Sequence, residues 1–292
     1  MLDSRPSGEP EPSDFRVKDG DVPEPGPREF LVRVVYVSVD PYMRGLIGGG
    51  SSYIESVDPG DPMPGGAVGV VEASNHDGFA EGDIVQGPFG WAEYSVFDGE
   101  DVRKVDPEMA PISTALGVLG MPGMTAYFGL LDVGQPRPGD TVFVSGAAGA
   151  VGSLVGQIAR INGCRVYGSA GTDEKVEWLT GQLGFDGAFN YKEINNYRRQ
   201  IRRMCEDGVD VYFDNVGGPM TDAVFQNLNT GARVAVCGQI AQYNAQGVPE
   251  GPRKLWHLIT KRARAQGFLV FAYENQYETA RRRIASWIDS GE

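Results

Sequence analysis

Residues 141–152, Thr-Val-Phe-Val-Ser-Gly-Ala-Ala-Gly-Ala-Val-Gly, decide the fold of this chain. The β-branched and aromatic run at 142–144 is typical of a short buried strand. Gly146, Gly149 and Gly152 follow it at three-residue spacing, and an apolar-periodic helix then begins. Glycines let a backbone approach a diphosphate closely, and the N–H groups of a helix start attract its negative charge. The strand, turn and helix together therefore predict a nucleotide-binding unit.

After Leu116 the sequence alternates between strand-like and helix-like segments. Such alternation is typical of a doubly wound parallel sheet, the Rossmann form of the α/β class, whose ligand crevice lies at the carboxyl ends of the strands. The predicted strands are 141–145, 164–169, 187–191, 209–214, 232–237 and 265–271. The predicted helices lie near 151–162, 174–183, 194–206, 218–228 and 254–263. A last helix is predicted over 274–290, with one face formed by Tyr277, Ala280, Ile284, Trp287 and Ile288.

The first part of the chain has a different pattern, in which Gly and Pro interrupt short strand-like segments. The strands predicted there are 30–38, 67–73, 83–87 and 91–97, and turns are predicted at 59–66 and 79–83. This pattern predicts a compact, partly open β-barrel. We therefore expect two domains, a substrate-binding barrel over 1–117 and a nucleotide-binding domain over 118–292.

The charge of the chain restricts its partners. Its formal net charge is −13, which argues against nucleic acid and anionic membranes, since both attract basic surfaces. Lysine is scarce beside arginine, because it occurs at only six positions. An acidic, lysine-poor composition suits a high-salt cytoplasm, and it also follows from a GC-rich genome that favours arginine codons. Unfolding measured against KCl concentration distinguishes the two explanations, because equal stability at low and molar salt excludes a halophile.

Cysteine and histidine limit the class of protein further. Cys164, Cys205 and Cys237 are an odd, scattered set, which favours reduced thiols over a disulfide framework. His76 and His257 are the only histidines and there is no Cys-x-x-Cys pair, so we expect no zinc site. No apolar run approaches the ~20 residues that span a bilayer, and the N-terminus lacks a basic and apolar leader. We therefore expect a cytoplasmic protein.

The end of the second strand of the nucleotide-binding domain selects the dinucleotide. An acid there would bind the adenosine ribose and repel a 2′-phosphate. This chain has Ala170 or Gly171 at that position, and Lys175 lies one helical turn farther on. Lys175 is therefore a candidate partner for a 2′-phosphate, which favours NADPH over NADH. In the other interpretation, Thr172 simply caps the next helix and Lys175 is solvated; the two interpretations are compatible.

Six segments, taken in order, resemble one enzyme family. The sequence is similar to the NADPH-dependent alkenal double-bond reductases, in the zinc-free branch of the medium-chain dehydrogenase/reductase superfamily. That family includes prostaglandin reductases, plant 2-alkenal reductases and microbial curcumin-reductase-like enzymes, and the match covers nearly the whole chain. The segments are Val39-Asp-Pro-Tyr-Met-Arg-Gly45, Gly120-Met-Pro-Gly-Met-Thr-Ala-Tyr127, Gly146-Ala-Ala-Gly-Ala-Val-Gly152, Phe189-Asn-Tyr-Lys192, Tyr212-Phe-Asp-Asn-Val-Gly-Gly218 and Val236-Cys-Gly238.

The resemblance implies a fold and an activity. The fold is a Rossmann domain with an N-terminal GroES-like β-barrel, which family members complete with further elements beyond the position of Glu292; we therefore expect an incomplete barrel. The activity is reduction of the C=C bond of α,β-unsaturated aldehydes and ketones, with hydride passing from NADPH to the β-carbon. Negative charge then develops on the carbonyl oxygen, so a hydrogen-bond donor there lowers the barrier. Family members commonly form homodimers through edge strands of their cofactor domains.

The resemblance also implies roles for individual residues. The cofactor-binding residues are Gly149, Ala150, Val151 and Gly152 for the diphosphate, Lys175 and Tyr191 for the 2′-phosphate, and Asn215 near the crevice. The residues on the nicotinamide side are Cys237, Gly238, Gln239, Ile240 and Tyr243, and Phe268, Leu269 and Val270 lie against the carboxamide. The barrel contributes Pro41 and Tyr42, and the nicotinamide ring is supported by Met121 and Thr125. The catalytic candidates are Tyr42 and Tyr243, because a phenol has the donor and the reach that the reaction needs.

Each of these roles has a simpler alternative. Tyr191 is otherwise an ordinary strand-end tyrosine, and Cys237 is more typical of a small buried residue than of a reactive thiol. Met121 is otherwise a packing residue, Pro41 ends a strand, and Tyr243 only shapes the pocket. At the level of the whole protein, a quinone reductase of the same superfamily and a non-catalytic NADPH-binding protein are the alternatives.

Overall fold

The computed structural model describes residues 1–49, 55–248 and 251–292. The chain divides into two compact units. The N-terminal unit comprises Met1–Gly120 and Tyr243–Gln246, and the C-terminal unit comprises Met121–Gln242 and Gly247–Glu292. Within the described residues, no helix combines the length and the apolar character that crossing a bilayer requires.

The N-terminal unit is built on five strands, namely β1 (Phe30–Val37), β2 (Ala67–Ser74), β3 (Ile84–Gly87), β4 (Tyr94–Phe97) and β5 (Arg103–Lys104). They form an antiparallel sheet with the order β4-β1-β2-β3-β5. Gly69 lies where the first two strands approach closely, because a Cβ there would be 2.5 Å from the carbonyl oxygen of Arg33. The N-terminal β domain, predicted as a partly open barrel, is confirmed as an antiparallel sheet. Its sheet core is formed by Phe30, Val32, Ala67, Val71, Val85 and Phe89.

A second apolar cluster of the same unit holds helix α1 (Met43–Ile47) in place. Leu2 is fully buried in it, and its N–H donates to the carbonyl oxygen of Asp61 at 3.0 Å. The N-terminal segment is therefore anchored beside α1, with Tyr42 packed against the cluster. The buried members are Leu2, Met43, Leu46, Ile47, Val57 and Met63.

The strands of the C-terminal unit are β6 (Thr141–Val144), β7 (Arg165–Ala170), β8 (Gly187–Asn190), β9 (Val209–Asp214), β10 (Leu228–Val236) and β11 (Arg264–Gly267). They form a parallel sheet with the order β11-β10-β9-β6-β7-β8. The strand order reverses between β6 and β9, which is the point where such sheets bind ligands. The predicted doubly wound fold is confirmed. The helices are α2 (Met121–Phe128), α3 (Ala150–Ile161), α4 (Asp173–Gly181), α5 (Tyr197–Met204), α6 (Gly218–Phe225), α7 (Trp256–Lys261) and α8 (Tyr277–Ser290).

Helix α3 packs unusually closely because it contains glycine at the contact. A Cβ on Gly156 would lie 2.0 Å from Cζ of Phe185, whose ring is buried against the helix. The apolar face of α3, with Val155 and Ile158, joins the core between the sheet and the helix. This packing fixes the start of α3 over the end of β6, where the sequence predicts the nucleotide site.

The predicted strand over 265–271 is wrong in its second half. β11 ends at Gly267, and a 3₁₀ segment begins at Val270. The reason is the partner strand: Val236, the last residue of β10, pairs with Gly267, so no ladder remains beyond it. Phe268 instead turns toward the core, where its ring meets Phe213 edge to face with centroids 6.2 Å apart.

The predicted last helix is confirmed from Tyr277 to Ser290, but it begins three residues later than expected because the 3₁₀ segment occupies 270–276. Its predicted apolar face is correct at Ala280 and Ile284, which are buried. Ile288 is 46 % exposed and does not belong to the buried face. It lies in the last turn of α8, which ends two residues later.

Candidate functional site

The glycine turn between β6 and α3 has the geometry that its sequence predicts. Gly146 has a φ of +61°, a conformation that side chains rarely adopt. The amide of Gly149 donates to the carbonyl oxygen of Gly146 at 3.0 Å, which closes the turn. A Cβ on Gly152 would lie 2.4 Å from that same oxygen, so glycine is required there. The turn thus leaves a cradle without side chains at the start of α3, and the first amides of a helix attract an anion.

A buried carboxylate is hydrogen-bonded to Ser145, the residue that precedes this turn. Asp214 ends β9, is fully buried and accepts hydrogen bonds from the hydroxyls of Tyr212 (2.7 Å) and Ser145 (3.1 Å) at Oδ1. The amides of Val216 and Gly217 donate to the same oxygen at 3.0 and 2.9 Å. Four donors therefore meet one carboxylate oxygen among the described residues, and they fix the turn after β9.

The second oxygen of Asp214 accepts a hydrogen bond from the hydroxyl of Thr221 at the start of α6. Burial, reinforced by the neighbouring carboxylate, raises the pKa of Tyr212 well above its ordinary value. Tyr212 consequently remains a protonated donor throughout the neutral range.

Asn215 joins the ends of β9 and β6. Its side-chain Nδ2 donates to the carbonyl oxygen of Ser145 at 2.8 Å, and its amide donates to the hydroxyl of Ser145 at 3.1 Å. The strands β6 and β9 are the pair at which the strand order reverses. Asn215 therefore lies at the carboxyl ends of the two strands between which the order reverses, and its contact with the cofactor stays a prediction.

The end of β7 carries no acid. Ala170 ends the strand, and a Cβ on Gly171 would lie 3.1 Å from the hydroxyl oxygen of Tyr191, so the phenol lies against this glycine. Thr172 caps α4, where its hydroxyl oxygen accepts from the amide of Lys175 at 3.3 Å. The structure thus places Gly171 and the phenol of Tyr191 side by side, puts Lys175 in the first turn of α4, and confirms the capping role of Thr172. A phenol at a strand end without an acid, with a lysine in the turn that follows, suits a phosphate.

The segment after β10 packs on the turn after β9. The amides of Cys237 and Gly238 donate to the backbone oxygen of Asp214 at 2.9 and 3.0 Å. Gly217 has a φ of +75°, which favours glycine, and a Cβ there would be in tight contact with Cβ of Gln239 at 3.0 Å. Burial raises the pKa of Cys237 to about 12, which opposes thiolate formation at neutral pH. Ile240 follows on the same turn and is 49 % exposed.

The other predicted residues of this unit have mainly packing contacts or a contact within their own helix. Met121 begins α2, and its carbonyl oxygen accepts from the hydroxyl of Thr125 at 2.8 Å. Phe268 contacts the core through Phe213, Val270 is buried, and Leu269 is 48 % exposed.

Three predicted residues belong to the N-terminal unit. Pro41 and Tyr42 immediately precede α1, and Tyr243 opens the segment 243–246 that joins this unit. Asp40 directly precedes Pro41. Burial raises the pKa of its carboxyl, although a hydrogen bond from the hydroxyl of Ser38 partly lowers that pKa. The two catalytic candidates, Tyr42 and Tyr243, are thus parts of one compact unit, although 201 residues separate them in the sequence (243 − 42).

Sequence reasoning missed the residues whose hydrogen bonds connect the ends of β6 and β9 and the start of α6. Ser145, Tyr212, Asp214 and Thr221 were not identified, because their hydrogen bonds depend on how β6, β9 and α6 are placed. A local signal was present: Asp214 is followed by Gly217 and Gly218, which have φ values of +75° and +59°. An aspartate before such a turn commonly accepts hydrogen bonds from its amides. Within the described parts of the chain, no three His, Cys, Asp or Glu residues form a group that could hold a metal ion.

Two family models match the chain. The model described as the N-terminal domain of oxidoreductase matches residues 1–105, and the model described as zinc-binding dehydrogenase matches residues 150–286. Among curated proteins, the NADPH-dependent curcumin reductase of Escherichia coli is 44 % identical over 99 % of this chain and 85 % of its own length. The 2-alkenal reductase (NADP(+)-dependent) of Nicotiana tabacum is 45 % identical over 100 % of this chain and 86 % of its own.

A solved structure is also similar to the chain over nearly its whole length. The crystal structure of CurA from Vibrio vulnificus in complex with NADPH is 44 % identical to this chain, with a TM-score of 0.94. The similarity covers 99 % of this chain and 87 % of that one.

Proposed function

The chain belongs to the NADPH-dependent double-bond reductases of the medium-chain dehydrogenase/reductase superfamily, and we propose that it reduces the C=C bond of α,β-unsaturated aldehydes and ketones. The observation that carries the proposal is the end of β7, where Gly171 stands in place of an acid, the phenol of Tyr191 lies against it and Lys175 follows in the first turn of α4. These donors fit a dinucleotide with a 2′-phosphate. Bound NADPH would supply the hydride for the reaction.

We assign the binding of the diphosphate to the glycine turn and to the amides at the start of α3. Ser145 and Asp214 hold this turn and Asn215 in position from behind, because their hydrogen bonds connect the ends of β6 and β9. The residues of the C-terminal unit thus bind and orient the cofactor, and the N-terminal unit is proposed to supply the substrate side.

The protein groups that handle the substrate oxygen are proposed to be the phenols of Tyr42 and Tyr243. A hydroxyl donor at the carbonyl oxygen stabilises the negative charge that develops there, and a phenol also can deliver a proton. Tyr243 is the preferred proton donor. The residue is 37 % exposed, so it is accessible from solvent for proton exchange.

We also propose that the protein is a homodimer joined through β11. This strand lies at the edge of the parallel sheet and is exposed along its length, and an uncovered edge invites pairing. Exposed apolar side chains lie in the neighbouring segments, namely Leu255, Trp256, Ile259, Leu269 and Phe271. Sedimentation at micromolar concentration tests this; a monomer would contradict it.

The cytoplasm is the proposed compartment, since the three cysteines are free thiols.

The proposed reaction is tested by following NADPH oxidation with a 2-alkenal, an enone such as a curcuminoid and a quinone, without added metal and at low and high KCl. Turnover of the alkenal or enone in preference to the quinone is the expected result. Preference for the quinone would favour the other reductase class. NADPH binding, detected by fluorescence, without turnover of any substrate would favour a non-catalytic binding protein.

A further inference from the structure

Arg44 connects three distant segments of the N-terminal unit. It lies in the first turn of α1, two residues after Tyr42. Its Nε donates to Oδ1 of Asn244 at 2.9 Å, and its Nη2 donates to the carbonyl oxygen of Gly8 at 2.8 Å. A guanidinium is a rigid planar fork, so two bonds in different directions fix both partners relative to α1.

The partner Asn244 is the neighbour of Tyr243. Before Tyr243, the amide of Ala241 donates to the carbonyl oxygen of Val216 at 3.0 Å. After it, Asn244 is held by Arg44. Tyr243 therefore lies between two anchored points of the chain, and the second anchor comes from the turn that also carries Tyr42.

The next residues of this segment are also fitted to the N-terminal stretch. Gly8 has a φ of +94°, and a Cβ there would lie 3.4 Å from Nε2 of Gln246. Gly8 is thus both the acceptor for Arg44 and a neighbour of Gln246. These contacts give the segment 243–246 its place within the N-terminal unit.

We propose that Arg44 is a positioning residue for the reduction, acting through Asn244 on the backbone of Tyr243. The proposal rests on the proposed function, in which Tyr243 donates to the substrate. A donor must lie within hydrogen-bond reach of the reacting group, so a shift of about 1 Å lowers the rate strongly. The Arg44–Asn244 bond is exposed, so its loss should affect global stability little.

The test compares Arg44→Ala, Asn244→Ala and the double variant in steady-state kinetics with an enone. We expect each single variant to lower kcat about tenfold, the double variant to add little, and KM for NADPH to change less than about twofold. Asn244→Asp should retain activity, because a carboxylate also accepts from the guanidinium. Arg5→Ala is the control, since it removes another arginine of the N-terminal unit, whose partner is Asp58 at 2.7 Å; kcat should be unchanged.

A second readout does not require activity. Amide hydrogen exchange in the peptide covering 240–248 should be faster in Arg44→Ala and Asn244→Ala than in the wild type, and unchanged in Arg5→Ala. Unchanged exchange in Arg44→Ala, or additive effects of the two alanine variants on kcat, would overturn the proposal. If the wild type reduces no enone, the proposed function fails, and the exchange measurement still decides whether Arg44 orders this segment.

Discussion

Replacing Tyr212 by Phe removes one hydroxyl from the support of the nucleotide crevice. This hydroxyl donates to Asp214 at 2.7 Å and lies 3.1 Å from the hydroxyl of Ser145, and all three side chains are fully buried. Tyr273 offers the same chemistry near the surface, because its hydroxyl donates to Asp132, also at 2.7 Å. The two Tyr→Phe changes therefore form a matched pair that differs in burial.

The expected magnitudes follow from the partners that remain. A hydrogen bond to a charged group contributes about 1.5–3 kcal/mol. After Tyr212→Phe, Oδ1 of Asp214 still accepts from Ser145 and from the amides of Val216 and Gly217. We therefore expect a loss in the lower part of that range, about 2 kcal/mol. At the exposed Tyr273 site water can replace the lost hydroxyl as donor to Asp132, so we expect a loss of stability of about 0.5 kcal/mol or less.

Thermal unfolding followed by far-UV circular dichroism measures both variants under one condition. With about 2–4 °C per kcal/mol for a domain of this size, Tyr212→Phe should lower Tm by about 4–8 °C and Tyr273→Phe by about 2 °C or less. Urea unfolding of the same proteins provides the free energies directly. Equal small losses in the two variants would refute the reasoning, because the buried carboxylate would then not depend on its tyrosine.

The remaining predictions concern the cofactor, the donor, the turn and the thiols. Lys175→Ala should raise KM for NADPH about tenfold and leave KM for NADH unchanged, since only NADPH has the 2′-phosphate; equal effects in initial-rate assays would contradict this. Tyr243→Phe should lower kcat for an enone by about 100-fold at constant NADPH affinity, and near-normal turnover would exclude it as the proton donor. Gly152→Ala should weaken NADPH binding in a fluorescence titration and lower Tm, because its Cβ would lie 2.4 Å from a carbonyl oxygen, whereas Gly181→Ala, with open space around it, should do neither. The pKa of Cys237 is raised to about 12, so its thiol should stay protonated and iodoacetamide should label it slowly near pH 8. Labelling should become faster as the pH rises toward that pKa, or after unfolding. Rapid labelling of Cys237 in the folded protein at pH 8, located by peptide mass spectrometry, would contradict this.

The fold was predictable because its signals are local. The glycine turn at 146–152 and the alternation of strands and helices determine the parallel sheet, and each is contained in a short stretch of sequence. The strand over 265–271 was predicted too long for the opposite reason: its end depends on where β10 stops, and β10 is a separate segment.

The site was predictable only in part. The residues of the glycine turn and the missing acid at Gly171 can be read along the chain. The hydrogen bonds of Asp214 cannot, because Ser145 is 69 residues away (214 − 145) and meets it only when β6 and β9 pair. The bond from Arg44 to Asn244 spans 200 residues and likewise has no local signal.

The placement of the three thiols affects how well the protein resists alkylation by its own substrates. Conjugated carbonyl compounds alkylate thiolates, so a protein that handles them risks inactivation by its own substrate. Cys164 and Cys205 are buried, and burial raises the pKa values of Cys164, Cys205 and Cys237 to about 11, about 12 and about 12. The folded chain therefore presents few thiolate nucleophiles at neutral pH, and it can tolerate an electrophile that would modify an exposed, acidic thiol.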